Sequence, residues 1–111
     1  MRLDDKIAIV TGAGSGIGRA TATALAEVGA LVIATDIDAQ AAADTASGIG
    51  GTARSMPLDV TDRGSCDAIA ADLTAEFGML DVVVNAAGWD LIQPFVDNEP
   101  DYMDKIVELN L

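Results

Sequence analysis

Four short apolar runs, separated by segments of helical period, constrain this chain more than any other feature. Residues 6–10 (KIAIV), 31–35 (LVIAT) and 80–84 (LDVVV) read as buried strands, and a weaker run occupies 52–58. Residues 16–28 read as a helix, with Ile17, Ala20, Ala24 and Val28 at helical spacing and Gly29 as the stop. A second helical segment spans 39–46 and is closed by Gly48. A third spans 62–77, with Cys66, Ile69, Ala70, Leu73 and Phe77 on one face. A loop holding Gly88 and Pro94 leads to a last helix from about Asn98.

Continuous apolar strands alternating with helices predict a parallel sheet covered on both faces. Right-handed crossovers then give two βαβ units. The fold class is α/β: a Rossmann-type doubly wound parallel sheet, incomplete in this chain, with strand order 3-2-1-4. Its 111 residues suit one domain with one core, and no repeat, low-complexity stretch or linker divides them. The last residues, Val107-Glu108-Leu109-Asn110-Leu111, carry no Gly, Pro or charged stop, and the fourth strand would be an open sheet edge. Residues 1–111 are therefore expected to be the N-terminal part of a single domain, truncated at the C-terminus.

Charge and composition narrow the function classes. Six basic against eighteen acidic residues give a net charge of −12, and Arg2, Lys6, Arg19, Arg54, Arg63 and Lys105 are scattered. Nucleic acid and anionic membrane surfaces both need clustered cations, so neither is an expected partner. The single cysteine, Cys66, excludes an intrachain disulfide and fits a reducing cytoplasm. The chain has no histidine, which excludes from it a Ser–His–Asp triad, a Cys–His pair and an imidazole metal site. No metal site is expected.

The chemistry-bearing motif is Thr11-Gly12-Ala13-Gly14-Ser15-Gly16-Ile17-Gly18, lying between the first strand and the first helix. Glycines let a backbone turn sharply and approach a pyrophosphate, and the helix start offers N–H donors and the positive end of its dipole. The general G-x-G-x-x-G pattern does not fit, because Ile17 or Arg19 falls where its last Gly belongs. What fits is T-G-x-x-x-G-x-G, with Gly12, Gly16 and Gly18. On this motif the chain resembles the short-chain dehydrogenase/reductase family, in its compact branch.

Asp36 ends the second strand, where a carboxylate can accept both ribose hydroxyls of NAD and repel the 2′-phosphate of NADP. Neither Ser15 nor Ile37 supplies the positive charge that NADP would want. The expected cofactor is NAD. Further likeness to the family covers essentially the whole chain. Asp59-Val60 resembles its adenine-contacting pair, and Asn85-Ala86-Ala87-Gly88 resembles its N-N-A-G element, departing at Ala86. The resemblance thus implies a cofactor cradle of Gly12, Ser15, Gly16, Ile17, Gly18, Asp36, Ile37, Asp59, Val60, Asn85, Ala86, Ala87 and Gly88.

Leu109-Asn110-Leu111 is similar to the helix carrying the family's catalytic Asn, which implies that Asn110 holds a water in a proton relay. The family's Ser and Y-x-x-x-K pair have no counterpart here, since Tyr102 and Lys105 are three apart and precede Asn110. The stretch from Trp89 to Phe95 is similar to dehydrogenases of alicyclic or acyl-CoA hydroxy substrates, including 2-hydroxycyclohexanecarboxyl-CoA dehydrogenases. It resembles 3-oxoacyl carrier-protein reductases more loosely. A Trp that simply packs this loop on a helix explains the pattern equally well.

The function implied is an NAD(H)-dependent oxidoreductase interconverting a secondary alcohol and a ketone, with this chain supplying the cofactor half. A homo-oligomer, dimer or tetramer, is implied too, with Met103, Ile106 and Val107 as an apolar helix face that a monomer would instead pack on its sheet. The alternative is a non-catalytic NAD-binding module or regulatory partner.

Overall fold

The computed structural model describes residues 2–87. Its elements run β1 (Ile7–Thr11), α1 (Gly16–Glu27), β2 (Leu31–Asp36), α2 (Ala39–Ile49), β3 (Arg54–Pro57), α3 (Arg63–Phe77) and β4 (Val82–Asn85). The four strands form one parallel sheet in the order β3-β2-β1-β4, as the alternation predicts. Register places Ile9 beside Ile33 on one side and beside Val83 on the other. Residues 88–111 lie outside the described segment, and with them the expected helix from Asn98.

Both sheet faces are covered, which is why β1 and β2 read as unbroken apolar runs. Ala8, Val10, Val32 and Ala34 face a cluster joined by Ala13, Ala22 and Ala30. Ile9 and Ile33 face the opposite cluster, with Leu58, Ile69 and Leu73. Val10, Val32 and Ile33 are buried almost completely. Each such side chain contributes about 1.5–3 kcal/mol relative to exposure. Among the described residues, no buried side-chain N or O lacks a hydrogen-bond partner, and no helix is long and apolar enough to cross a membrane.

Several details differ from the sequence expectation, among them β4, which runs Val82–Asn85 and not 80–84. The buried residues of α1 are Gly18 and Ala22, with Leu25 and Ala26 packed on the core. Ile17 is 80% exposed, and Ala20 and Ala24 also face outward. The reason is steric. Small residues on one face let the helix axis approach the sheet, and the larger Ile17 cannot occupy that space. Helix α2 runs past Gly48 to Ile49 and ends at Gly50, whose φ is +76°. Packing of Ile49 on the core offsets the weak helix preference of Gly48. Strand β3 is shorter than 52–58, because only Arg54–Pro57 pairs with Ile33–Asp36. The face of α3 is otherwise as read, except that Ala70 is exposed.

Candidate functional site

A parallel sheet sends the carboxyl ends of all its strands to one edge. Here that edge collects Thr11 from β1, Asp36 from β2, Asp59 and Val60 beyond β3, and Asn85 from β4. The strand order reverses between β1 and its two neighbours, the position where open α/β sheets form their ligand crevice. The glycine-rich turn 12–15 leaves β1 at this point and enters α1.

Close approach dictates the glycines. A Cβ on Gly18 would lie 2.0 Å from the Gly12 carbonyl oxygen, so the first helical turn packs directly on the loop. A Cβ on Gly12 would lie 2.7 Å from the Ala87 backbone, which passes over the loop from β4. Thr11 joins the same two segments: its hydroxyl donates to the Val84 carbonyl at 3.4 Å and accepts from the Ala87 N–H at 3.3 Å. Gly16 has open space around it, and its φ of +56° is what favours glycine there.

The α1 N-terminus is open to a ligand. Ser15 occupies the cap position in an extended conformation, but its side chain accepts no hydrogen bond from the first turn. Helix geometry leaves the N–H groups of that turn without intrahelical acceptors. Ser15, Gly16 and Ile17 are all exposed. A cradle in which Cβ atoms are excluded and helix donors point outward fits a pyrophosphate.

Asp36 stands next to this cradle, partly buried. Its Oδ2 accepts from the Gly14 N–H at 2.9 Å and its Oδ1 accepts from the Asp38 N–H at 2.9 Å. Each carboxylate oxygen retains a lone pair, so the group can accept further hydroxyl donors. Ile37 beside it is 69% exposed. Asp59 accepts from both the Thr61 N–H and its hydroxyl, at 2.9 and 2.6 Å. Val60 packs against the core cluster of Ile9 and Ile33, and the Leu58 N–H ties this segment to the Asp36 carbonyl at 2.9 Å. Asn85 is exposed, and Ala86 and Ala87 are half-buried.

The structure therefore brings Gly12, Gly18, Ala86 and Ala87 into one packed unit, and places Asp36 against Gly14. Gly88 and Asn110 lie outside the described residues, as does the segment from Trp89 to Phe95.

Three residues escaped the sequence reading. Gly14 is not one of the three motif glycines, yet a Cβ there would lie 2.6 Å from the Ala41 Cβ and 2.8 Å from Asp36 Oδ2. Arg19 donates from Nη2 to the Gly14 carbonyl at 2.7 Å and from Nε to Thr45 Oγ1 at 3.0 Å. Thr45 in turn donates to the Ala13 carbonyl at 2.8 Å. The available signal was that Arg19 is the one cation between Lys6 and Arg54 and sits one turn into the helix after the glycine loop.

Known proteins resemble this chain in sequence and in fold. The chain is 40% identical over its full length to sorbitol dehydrogenase of Cereibacter sphaeroides, of which it covers 43%. It is 41% identical over 99% of its length to D-threitol dehydrogenase of Mycolicibacterium smegmatis, of which it covers 44%. It thus spans less than half the length of these curated relatives. Among solved structures, 3-ketoacyl-(acyl-carrier-protein) reductase from Brucella melitensis, in complex with NADH, superposes with a TM-score of 0.89 at 34% identity. That match covers 98% of this chain and 45% of the reductase. The short chain dehydrogenase family model matches residues 6–111. Sheet order, glycine loop and this match agree: the chain belongs to the short-chain dehydrogenase family.

Proposed function

We propose that this chain supplies the cofactor-binding half of an NAD(H)-dependent oxidoreductase that interconverts a secondary alcohol and a ketone. The observation that carries the reading is the position of Asp36, a carboxylate at the end of β2 held beside the glycine loop by the Gly14 and Asp38 N–H groups. In the bound state Asp36 accepts the adenosine ribose hydroxyls, and its charge repels a 2′-phosphate. The first-turn N–H groups of α1 hold the pyrophosphate. Exposed Ile17 and Ile37 are covered by the cofactor, and Asp59-Val60 and residues 85–88 complete the cradle. A bound nicotinamide cofactor would supply the hydride donor or acceptor. On the family resemblance Asn110 joins the proton relay.

The dehydrogenases named above act, by their names, on sorbitol and D-threitol, which supports a polyhydric alcohol as substrate. The same proposal includes a cytoplasmic location, supported by a lone cysteine, and a homo-oligomeric assembly of two or four chains.

Fluorescence titration of the intact gene product with NADH and NADPH tests the cofactor assignment. NADH is expected to bind at least about 30-fold tighter, a difference of about 2 kcal/mol. Equal or tighter binding of NADPH would refute it.

A further inference from the structure

We propose that Arg19 and Thr45 are positioning residues that set cofactor selectivity by clamping Gly14 against Asp36; this rests on the nicotinamide-cofactor reading above. Gly14 has no Cβ, so nothing intrinsic restrains the two peptide planes that meet there. Restraint comes from outside. The Ala13–Gly14 peptide is held at both ends, its carbonyl by the Thr45 hydroxyl at 2.8 Å and its N–H by Asp36 Oδ2 at 2.9 Å. The Gly14–Ser15 peptide is held at its carbonyl by the Arg19 guanidinium at 2.7 Å.

A trans peptide directs its C=O and N–H oppositely. The Arg19 bond therefore turns the Ser15 N–H away from the guanidinium. Arg19 Nε also donates to the hydroxyl of Thr45, a residue only 4% exposed, so that one group links loop, α1 and α2. The bond from a charged guanidinium is the strong type, and it stabilises the loop geometry more than a neutral donor would.

The consequence falls on Asp36. Its carboxylate plane is fixed by two N–H donors, of which Gly14 is one and Asp38 the other. Release of Gly14 leaves the carboxylate held by the Asp38 N–H alone, so its other oxygen can swing about the last side-chain bond. It then meets ribose hydroxyls less well and yields more readily to a 2′-phosphate. Arg19 and Thr45 touch neither group, so they act through Gly14.

The test compares NADH and NADPH dissociation constants for Arg19→Met, Thr45→Val and Thr45→Ser in the intact gene product, with Asp36→Asn alongside. A merely structural residue would lower the melting temperature without moving the ratio of the two constants. Arg19→Met and Thr45→Val are each expected to narrow the NADH preference about tenfold, the size of one hydrogen bond's net contribution. Thr45→Ser keeps the hydroxyl and is expected to restore the ratio. Unchanged ratios in Arg19→Met and Thr45→Val, with a collapsed preference in Asp36→Asn, would overturn the clamp and leave the cofactor reading intact. An unchanged preference in Asp36→Asn would instead overturn the cofactor reading itself, and the clamp with it.

Discussion

Among the described residues, the three helix starts face the same edge of the sheet and are finished in two different ways. Helices α2 and α3 begin with aspartates that close on their own first turns: Asp38 accepts from the Ala41 N–H at 3.1 Å and Asp62 from the Ser65 N–H at 3.3 Å. Helix α1 begins with Ser15, a residue type suited to the same task, yet its side chain makes no such bond. The glycine-rich loop, not a capping side chain, precedes it. An aspartate neutralises the positive end of a helix and offers an acceptor to its N–H groups, so it competes with any anion that would bind there. Helices α2 and α3 thus begin as structural elements, whereas the first-turn donors of α1 stay uncapped.

The largest effect is expected from filling the space that the open helix start requires. In Gly18→Ala the new Cβ would meet the Gly12 carbonyl at 2.0 Å, forcing helix and loop apart. NADH binding by the gene product should fall at least about 100-fold, and denaturant titration should show a loss of about 1–3 kcal/mol. Unaltered binding in a folded variant would mean that the loop is not the phosphate cradle.

A subtler change makes α1 resemble its neighbours. Ser15→Asp gives the helix a charged cap, expected to raise stability by about 0.3–1 kcal/mol while weakening NADH about tenfold or more through repulsion of the pyrophosphate. Stability and affinity moving in the same direction would contradict the contrast. The reverse operation is Asp62→Ala in α3. It should cost about 1 kcal/mol of stability and leave the NADH dissociation constant within about twofold of wild type. Calorimetry and titration of the two variants side by side would sharpen the distinction between a closed and an open helix start.

Much of the fold was legible because its signals are local. The unbroken apolar runs in β1 and β2 announce a sheet covered on both sides, and the glycines between Thr11 and Ile17 mark a strand-to-helix turn. Asp36 was visible from its place at the end of a strand. What stayed hidden depends on how closely elements approach. Nothing in Gly18 or Ala22 marks them as the buried face of α1, since apolar periodicity weights large side chains and Ile17 dominates it. The extent of α2 turns on Ile49 reaching the core, a contact made by tertiary packing across a glycine. The contacts of Gly14 and Arg19 were hidden for the same reason, although the isolated charge of Arg19 was visible. One is defined by the proximity of Ala41 and Asp36, the other by the Gly14 carbonyl and the Thr45 hydroxyl, whose directions no residue type encodes.

The position of β1 at the middle of the sheet has a kinetic consequence. Its partner on one side arrives early, since Thr35 reaches Val10 across only 25 positions. Its partner on the other side comes much later, and the Thr11–Ala87 bond that seats the β4 exit over the glycine loop spans 76. Bringing distant segments together costs chain entropy before any contact rewards it. During synthesis β1, α1 and β2 can assemble while one flank of the central strand still lacks β4. The wall over Gly12 forms only when that last partner docks. A cofactor that needs this wall would bind only after β4 has paired and would hold that distant contact shut, rather than template the earlier steps.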